Sequence, residues 1–224
     1  MYEFLSHLLD PAAPHWPGTP PAAVVQDTEI SDACPYASWI ITVPNHFGTH
    51  MDAPRHFVPN GETITDLPIG YFVHEKVMFI ELPKGDAEGV MPEDLKPYEE
   101  EIKKVTCLLI RTGFEKYRTE EPSRYEKLSP HVHPQTCKYL VGTFPDLLVI
   151  GFDFLALGTP ANSLAPIAHR QLLGFDPSQK KYVTCLEDMH LAGLPIGCKI
   201  KRFFNLPLRA IHVDSSVVTC VAEF

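Results

Sequence analysis

The sequence predicts a mixed α/β domain, rich in short strands and poor in helices. Three observations lead there. Seven short apolar runs are spread along the chain, and several are apolar on both faces, as strands covered on both sides are. Only four stretches carry helical signals. Proline occurs 22 times and thins out only inside the apolar runs, so turns interrupt the chain at short intervals. That irregular order argues against a regular β-α-β-α alternation.

The strand-like runs lie at residues 37–43, 77–82, 105–111, 147–152, 182–186, 209–213 and 217–222, and are rich in Val, Ile, Leu, Thr and Phe. Residues 92–104 open on Pro92, carry Glu93 and Asp94 early and end in Lys103 and Lys104, an order that suits the helix dipole. A second helix over 129–140 can take Ser129 as its cap, with Pro134 at or near its start. A third, over 163–173, stops at Gly174. Residues 66–73 suit a short helical turn. The polar stretch 113–130 reads as a surface excursion. No repeat, low-complexity tract or linker divides the chain, so residues 1–224 are expected to form one domain.

The chain has 224 residues, 45% hydrophobic and 21% charged, enough to bury a core without disulfides or a structural metal. Its formal net charge of -9, with no basic cluster beyond Lys199, Lys201 and Arg202, argues against nucleic acid as a partner. No apolar run reaches the length of a membrane span. The first ten residues lack a basic stretch leading into an apolar one, so no secretory signal is expected. The six cysteines form no C-x-x-C pair, and Cys107, Cys185 and Cys220 sit in strand-like runs as small hydrophobes. A reducing, cytoplasmic setting is therefore expected.

The chemistry concentrates in residues 44–57, PNHFGTHMDAPRHF, with three histidines and one aspartate between His46 and His56. Imidazole and carboxylate together suit zinc, manganese or iron. A helix is doubtful there, because Gly48 and Thr49 interrupt the stretch and Pro44 and Pro54 bracket it. A strand end with a tight turn at Gly48 fits better. His50 and Asp52, two apart, then point to one side of an extended chain, and Gly48 bends His46 back toward them.

Residues 46–57, HFGTHMDAPRHF, resemble the H-x-G-T-H-x-D-x-P-x-H-F signature of the cyclase family of metal-dependent hydrolases, which includes kynurenine formamidase and isatin hydrolase. Further segments are similar: Trp16-Pro17-Gly18, Arg111-Thr112-Gly113, Gly151-Phe152-Asp153, and the stretch from His169 to Leu173. Glu187-Asp188-Met189 stands where the family usually has E-N-L. The resemblance implies a mixed α/β domain of the swivelling β/β/α cyclase type, forming homodimers or homotetramers. It implies that His46, His50 and Asp52 hold a divalent metal, zinc first and manganese next. His169 and Glu187 join Asp52 around a second metal position, and His56 is the general base or proton shuttle. The implied reaction is hydrolysis of a small-molecule amide, formamide-like, by metal-activated water.

Trp16, Phe47, Phe57 and Phe72 are candidates to line the substrate pocket. Alternatives are hydrolysis of a cyclic amide or ester, a cyclisation, or a metal-binding interaction module without turnover. Outside this segment signals are weak. His131 and His133, an H-x-H pair, read as surface residues, and His212 as structural within a strand. His190, three after Glu187, approaches the site if that segment is helical. His7, His15 and His74 carry no local signal. Asp214 precedes Ser215-Ser216, but without a G-x-S-x-G elbow a serine hydrolase is not expected.

Overall fold

The computed structural model describes residues 1–179 and 181–224. Its strands, in chain order, are β1 (Tyr2–Phe4), β2 (Ala23–Thr28), β3 (Ser38–Thr42), β4 (His50–Asp52), β5 (Val73–His74), β6 (Val77–Glu81), β7 (Gly89–Val90), β8 (Cys107–Arg111), β9 (His131–Val132), β10 (Val149–Phe152), β11 (Thr184–Glu187), β12 (Arg202–Pro207) and β13 (Ser215–Glu223). The helices are α1 (Pro92–Leu95), α2 (Glu99–Ile102), α3 (Tyr117–Glu120), α4 (Pro122–Leu128), α5 (Pro134–Thr143) and α6 (Ala165–Leu173). No helix among the described residues is long and apolar enough to cross a membrane.

Nine strands form one mixed sheet in the order β5-β12-β13-β4-β11-β10-β8-β6, with β1 added on β13. β6, β8, β10 and β11 run parallel, and the remaining pairings are antiparallel. β5 and β6 lie at opposite ends of this order, yet only Glu75 and Lys76 separate them in the chain. That link reaches at most roughly 11 Å, so the two edges are drawn together and the mixed sheet is nearly closed.

Of the parallel strands, β8, β10 and β11 are buried on both faces, as their unbroken apolar sequences require, and the edge strand β6 is half-buried. Leu108, Ile110, Ile150, Phe152 and Cys185 pack with Cys137 and Leu140 of α5 and Ala168 and Leu172 of α6. Cys107, Leu109, Val149 and Leu186 alternate onto the other face, with Met51, Phe72 and Phe203. Helix α6 places Ala165, Ala168, His169 and Leu172 on its buried side and ends at Gly174, whose left-handed φ of 83° caps it. Burying Leu172 alone stabilises by about 1.5–3 kcal/mol. The same stripe carries His169 onto the sheet.

Several expectations need correction. Residues 92–104 are two helices, not one, because Pro97 splits them through the tight turn Lys96–Tyr98. The helix expected over 129–140 starts at Pro134 and runs to Thr143, while His131 and Val132 pair with β7. His131 is therefore buried and not a surface residue. The short helical turn expected within residues 66–73 is present as Ile69–Tyr71 and needs no such change. The stretch 209–213 is an exposed turn with His212 at φ 66°, and the strand lies upstream, where Arg202–Pro207 pairs with β13. Its apolar composition misled: Ile211 is 73% exposed. Segment 113–130 is no surface excursion, since Phe114, Glu115, Arg118 and Tyr125 are buried. Its charges go inside because they are paired there, Arg118 making a two-oxygen contact with Asp188.

Candidate metal centre

Strand β4 sits between β11 and β13, and register does the first part of the assembly. Glu187 stands directly opposite His50, and Cys185 opposite Asp52, so all four side chains share one face. Ser215 lies opposite Asp52 on the other flank, which puts Asp214 beside Ala53, where the chain leaves β4. Gly48 takes the left-handed φ of 62° that the turn preceding β4 requires. Pro54 then starts a single tight helical turn, Pro54–His56, that returns His56 to the same side. Helix α6 closes over this face with His169.

The buried Asp52 carboxylate is the hub. His46 Nδ1 lies 3.1 Å from Oδ1, and His50 Nε2 lies 3.6 Å from the same oxygen. His56 Nε2 and His169 Nε2 approach Oδ2 at 3.8 and 3.7 Å. Glu187 approaches His50 Nε2 at 3.2 Å and His169 Nε2 at 3.5 Å. The atoms fall into an inner group of His50, Asp52 and Glu187 and an outer group of His46, Asp52 and His56, sharing Asp52.

Each imidazole has its far nitrogen anchored outside the cluster. His50 Nδ1–H donates to Gly48 O at 2.7 Å, and His169 Nδ1–H to Ala165 O at 2.7 Å. His46 Nε2 and His56 Nδ1 both bond Asp214 Oδ2 at 2.9 Å. These outer bonds fix ring orientation and tautomer, and turn four free nitrogens inward. Asp214 is itself held by Asn45 Nδ2 at 2.7 Å.

The inward atoms want a cation. His50 Nε2 and Asp52 Oδ1 are buried and have no hydrogen-bond partner, a costly arrangement unless an ion completes it. Burial works against charge here, yet the hydrogen bond to Asp214 and the negative charges of Asp52 and Asp214 hold His46 up to about 10. Against burial and the charge of Asp52, the imidazoles of His169 and His50 bring Glu187 down to about 2. Asp214, bonded to His46 and His56, is held well below the usual carboxylate range. Nitrogen and carboxylate donors at these spacings suit a borderline divalent ion. Cys185 Sγ lies 3.9 Å from Asp52 Oδ2, and burial pushes its thiol far up, so it stays protonated.

A cavity of about 470 Å³ opens onto the cluster, lined on its apolar side by Trp16, Phe57, Leu155 and Pro166. Phe57 stacks on His169 with ring centres 4.6 Å apart. The other two aromatic candidates lie elsewhere. Phe47 is buried in an apolar nest with Ala13 and Ala22, and Phe72 is buried with Met51 and Leu67. Two of the similar segments noted in the sequence, 111–113 and 151–153, are braces. Asp153 accepts from Thr112 N and Gly113 N at 2.7 and 2.8 Å, while Arg111 donates to Leu191 O and Leu194 O.

The chain matches the Cyclase family over residues 4–158. It is 36% identical to kynurenine formamidase of Paracidovorax citrulli (strain AAC00-1), over 93% of this chain and 90% of that protein. An uncharacterized protein of Haemophilus influenzae is 46% identical over 58% of this chain and 92% of its own length. Among solved structures, isatin hydrolase A from Labrenzia aggregata, bound to benzyl benzoate, superposes with a TM-score of 0.80 at 23% identity, covering 99% of this chain and 93% of that one.

Proposed function

The chain belongs to the Cyclase family, and from that premise we propose that it is a metal-dependent hydrolase of an amide C–N bond of the aryl-formamide kind. The observation that carries this reading is the convergence of inward-facing ligand atoms on Asp52, with His50 Nε2 and Asp52 Oδ1 buried and unpartnered and each imidazole anchored from outside. His50, Asp52, Glu187 and His169 would hold an ion at the inner position, and His46 with Asp52 an ion at the outer one. Zinc fits these donors, with manganese next.

A divalent ion there supplies a Lewis acid and acidifies water. The chain's own contribution is proton handling and positioning. His56 presents Nε2 to the cavity while Nδ1 rests on Asp214. It takes the proton from the attacking water and delivers it to the leaving amine nitrogen. Asp214 stabilises the imidazolium that forms, and through His46 Nε2 it steers a ligand as well. Trp16 and Phe57 line the cavity and give an aromatic substrate flat apolar surface. Water is consumed, and an amine and a carboxylate leave.

The test is turnover by the metal-loaded protein of an N-formyl arylamine, isatin and a simple aryl ester, compared side by side. Formate release from the arylamide, abolished by chelation and restored by zinc or manganese, is expected. Failure with all three substrates while the ion stays bound would remove the enzymatic reading and leave the metal-binding module.

The setting follows from two further features. All six cysteines are free thiols, which favours a reducing compartment such as the cytoplasm. The β2–β3 ribbon leaves Val25, Trp39, Ile40 and Ile41 each more than half exposed, an apolar surface that suits a second copy of the chain. Light scattering should give at least a dimer mass, halved in a Trp39→Glu, Ile41→Glu double variant; a monomer at all concentrations would exclude this assembly.

A further inference from the structure

We propose that His7, Glu115 and His190 form a second divalent-cation site, separate from the Asp52 centre. Their ligand atoms all lie within 4.8 Å of one another, although they come from the loop after β1, the turn after β8 and the loop after β11. His7 Nε2 is buried without a hydrogen-bond partner, 3.7 Å from Glu115 Oε1. His190 Nδ1 bonds that same oxygen, and the His7 and His190 rings sit 5.2 Å apart. Glu115 Oε2 is taken up by the N–H groups of Leu191 and Ala192 at 2.9 and 2.8 Å. Oε1 is thereby turned toward the two imidazoles.

The backbone holds these groups in place. His7 N–H donates to Thr49 Oγ1 at 2.9 Å, Ser6 bridges to Met189, and His190 N–H donates to Leu5 O at 3.0 Å. The charged neighbours favour a cation. Asp188 Oδ1 lies 4.0 Å from His7 Nε2, and Glu3 faces His190. Arg118, a cation nearby, is already engaged by Asp188 through two oxygens. A cavity of about 910 Å³ reaches His7 and His190 and admits solvent to complete the coordination. Its lining shares only Gly48 with that of the Asp52 cavity.

Two imidazoles and a carboxylate suit zinc, nickel or cobalt(II). Binding replaces the proton that His190 and Glu115 share, and that proton is released to solvent. No bond is made or broken otherwise, so uptake should be weaker at low pH.

The experiment is zinc titration of the full-length, zinc-loaded protein at neutral pH, read by calorimetry and by metal analysis after gel filtration. Wild type should take up one zinc equivalent more than His7→Ala and one more than His190→Gln, with a proton released per added ion. Cobalt(II) should give a visible absorption band that both variants lose. Equal zinc uptake by wild type and both variants would overturn the site. His190 is partly exposed, so His190→Gln decides the matter alone if His7→Ala fails to fold.

Discussion

Two histidine–carboxylate clusters flank the 46–50 loop, and they are built on opposite terms. Around Asp52 the outer nitrogens of four imidazoles are already bonded, to Gly48, Ala165 and Asp214, and two buried inner atoms, His50 Nε2 and Asp52 Oδ1, are left without partners. Around Glu115 the carboxylate is satisfied by two backbone N–H groups and His190, and only His7 Nε2 is unpartnered. The first cluster is preorganised for an ion. The second holds a proton where an ion would sit. Preorganisation, more than the number of ligands, separates a centre that can serve chemistry from one that can only exchange a proton for a cation.

This contrast can be broken or sharpened by mutation. Asp52→Ala should have the largest effect, lowering turnover roughly a thousandfold or more and emptying both positions of the centre. Zinc at His7, Glu115 and His190 should survive it, as metal analysis would report. His56→Ala should lower kcat by about 10²–10⁴-fold with the metal retained. If the ion is lost along with the activity, His56 is a ligand of the outer position and not the proton carrier. Asp214→Asn should cost about 10–100-fold in activity or metal affinity, because it releases two rings at once. An unchanged rate would remove Asp214 from the machinery. His7→Ala should leave kcat/KM within about twofold, since mutations at sites that share no partners act independently. A loss like that of Asp214→Asn would show the two clusters to be coupled through Thr49, which bonds both His7 N–H and Asp188 O.

Legibility in the sequence followed distance along the chain. His46, His50, Asp52 and His56 could be read together because one bent segment carries them all. Gly48 marked the bend, which the structure has, and the turn that Pro54 starts came only with the structure. The strands at 105–111 and 147–152 were readable because burial on both faces demands unbroken apolar runs, and those at 77–82 and 217–222 because they are short runs rich in β-branched and apolar residues. Glu187 and His169 entered through family resemblance alone. Asp214 was seen only as the residue before Ser215-Ser216, since its bonds to His46 and His56 cross 168 and 158 residues. Glu115 and Arg118 were misplaced on the surface because buried charge is legible only from its partners, His190 and Asp188.

By itself, then, the sequence determined the kinds of donor atom, the local turns that could gather them, and a core of short apolar strands. Tertiary structure decided which carboxylate faces which imidazole. Pairing β4 between β11 and β13 set Glu187 against His50 and brought Asp214 to the outer ring nitrogens. Side-chain periodicity fixes the face a residue takes on its own strand, but the register between strands is a property of the closed sheet. A shift of one residue would have turned each of these groups away.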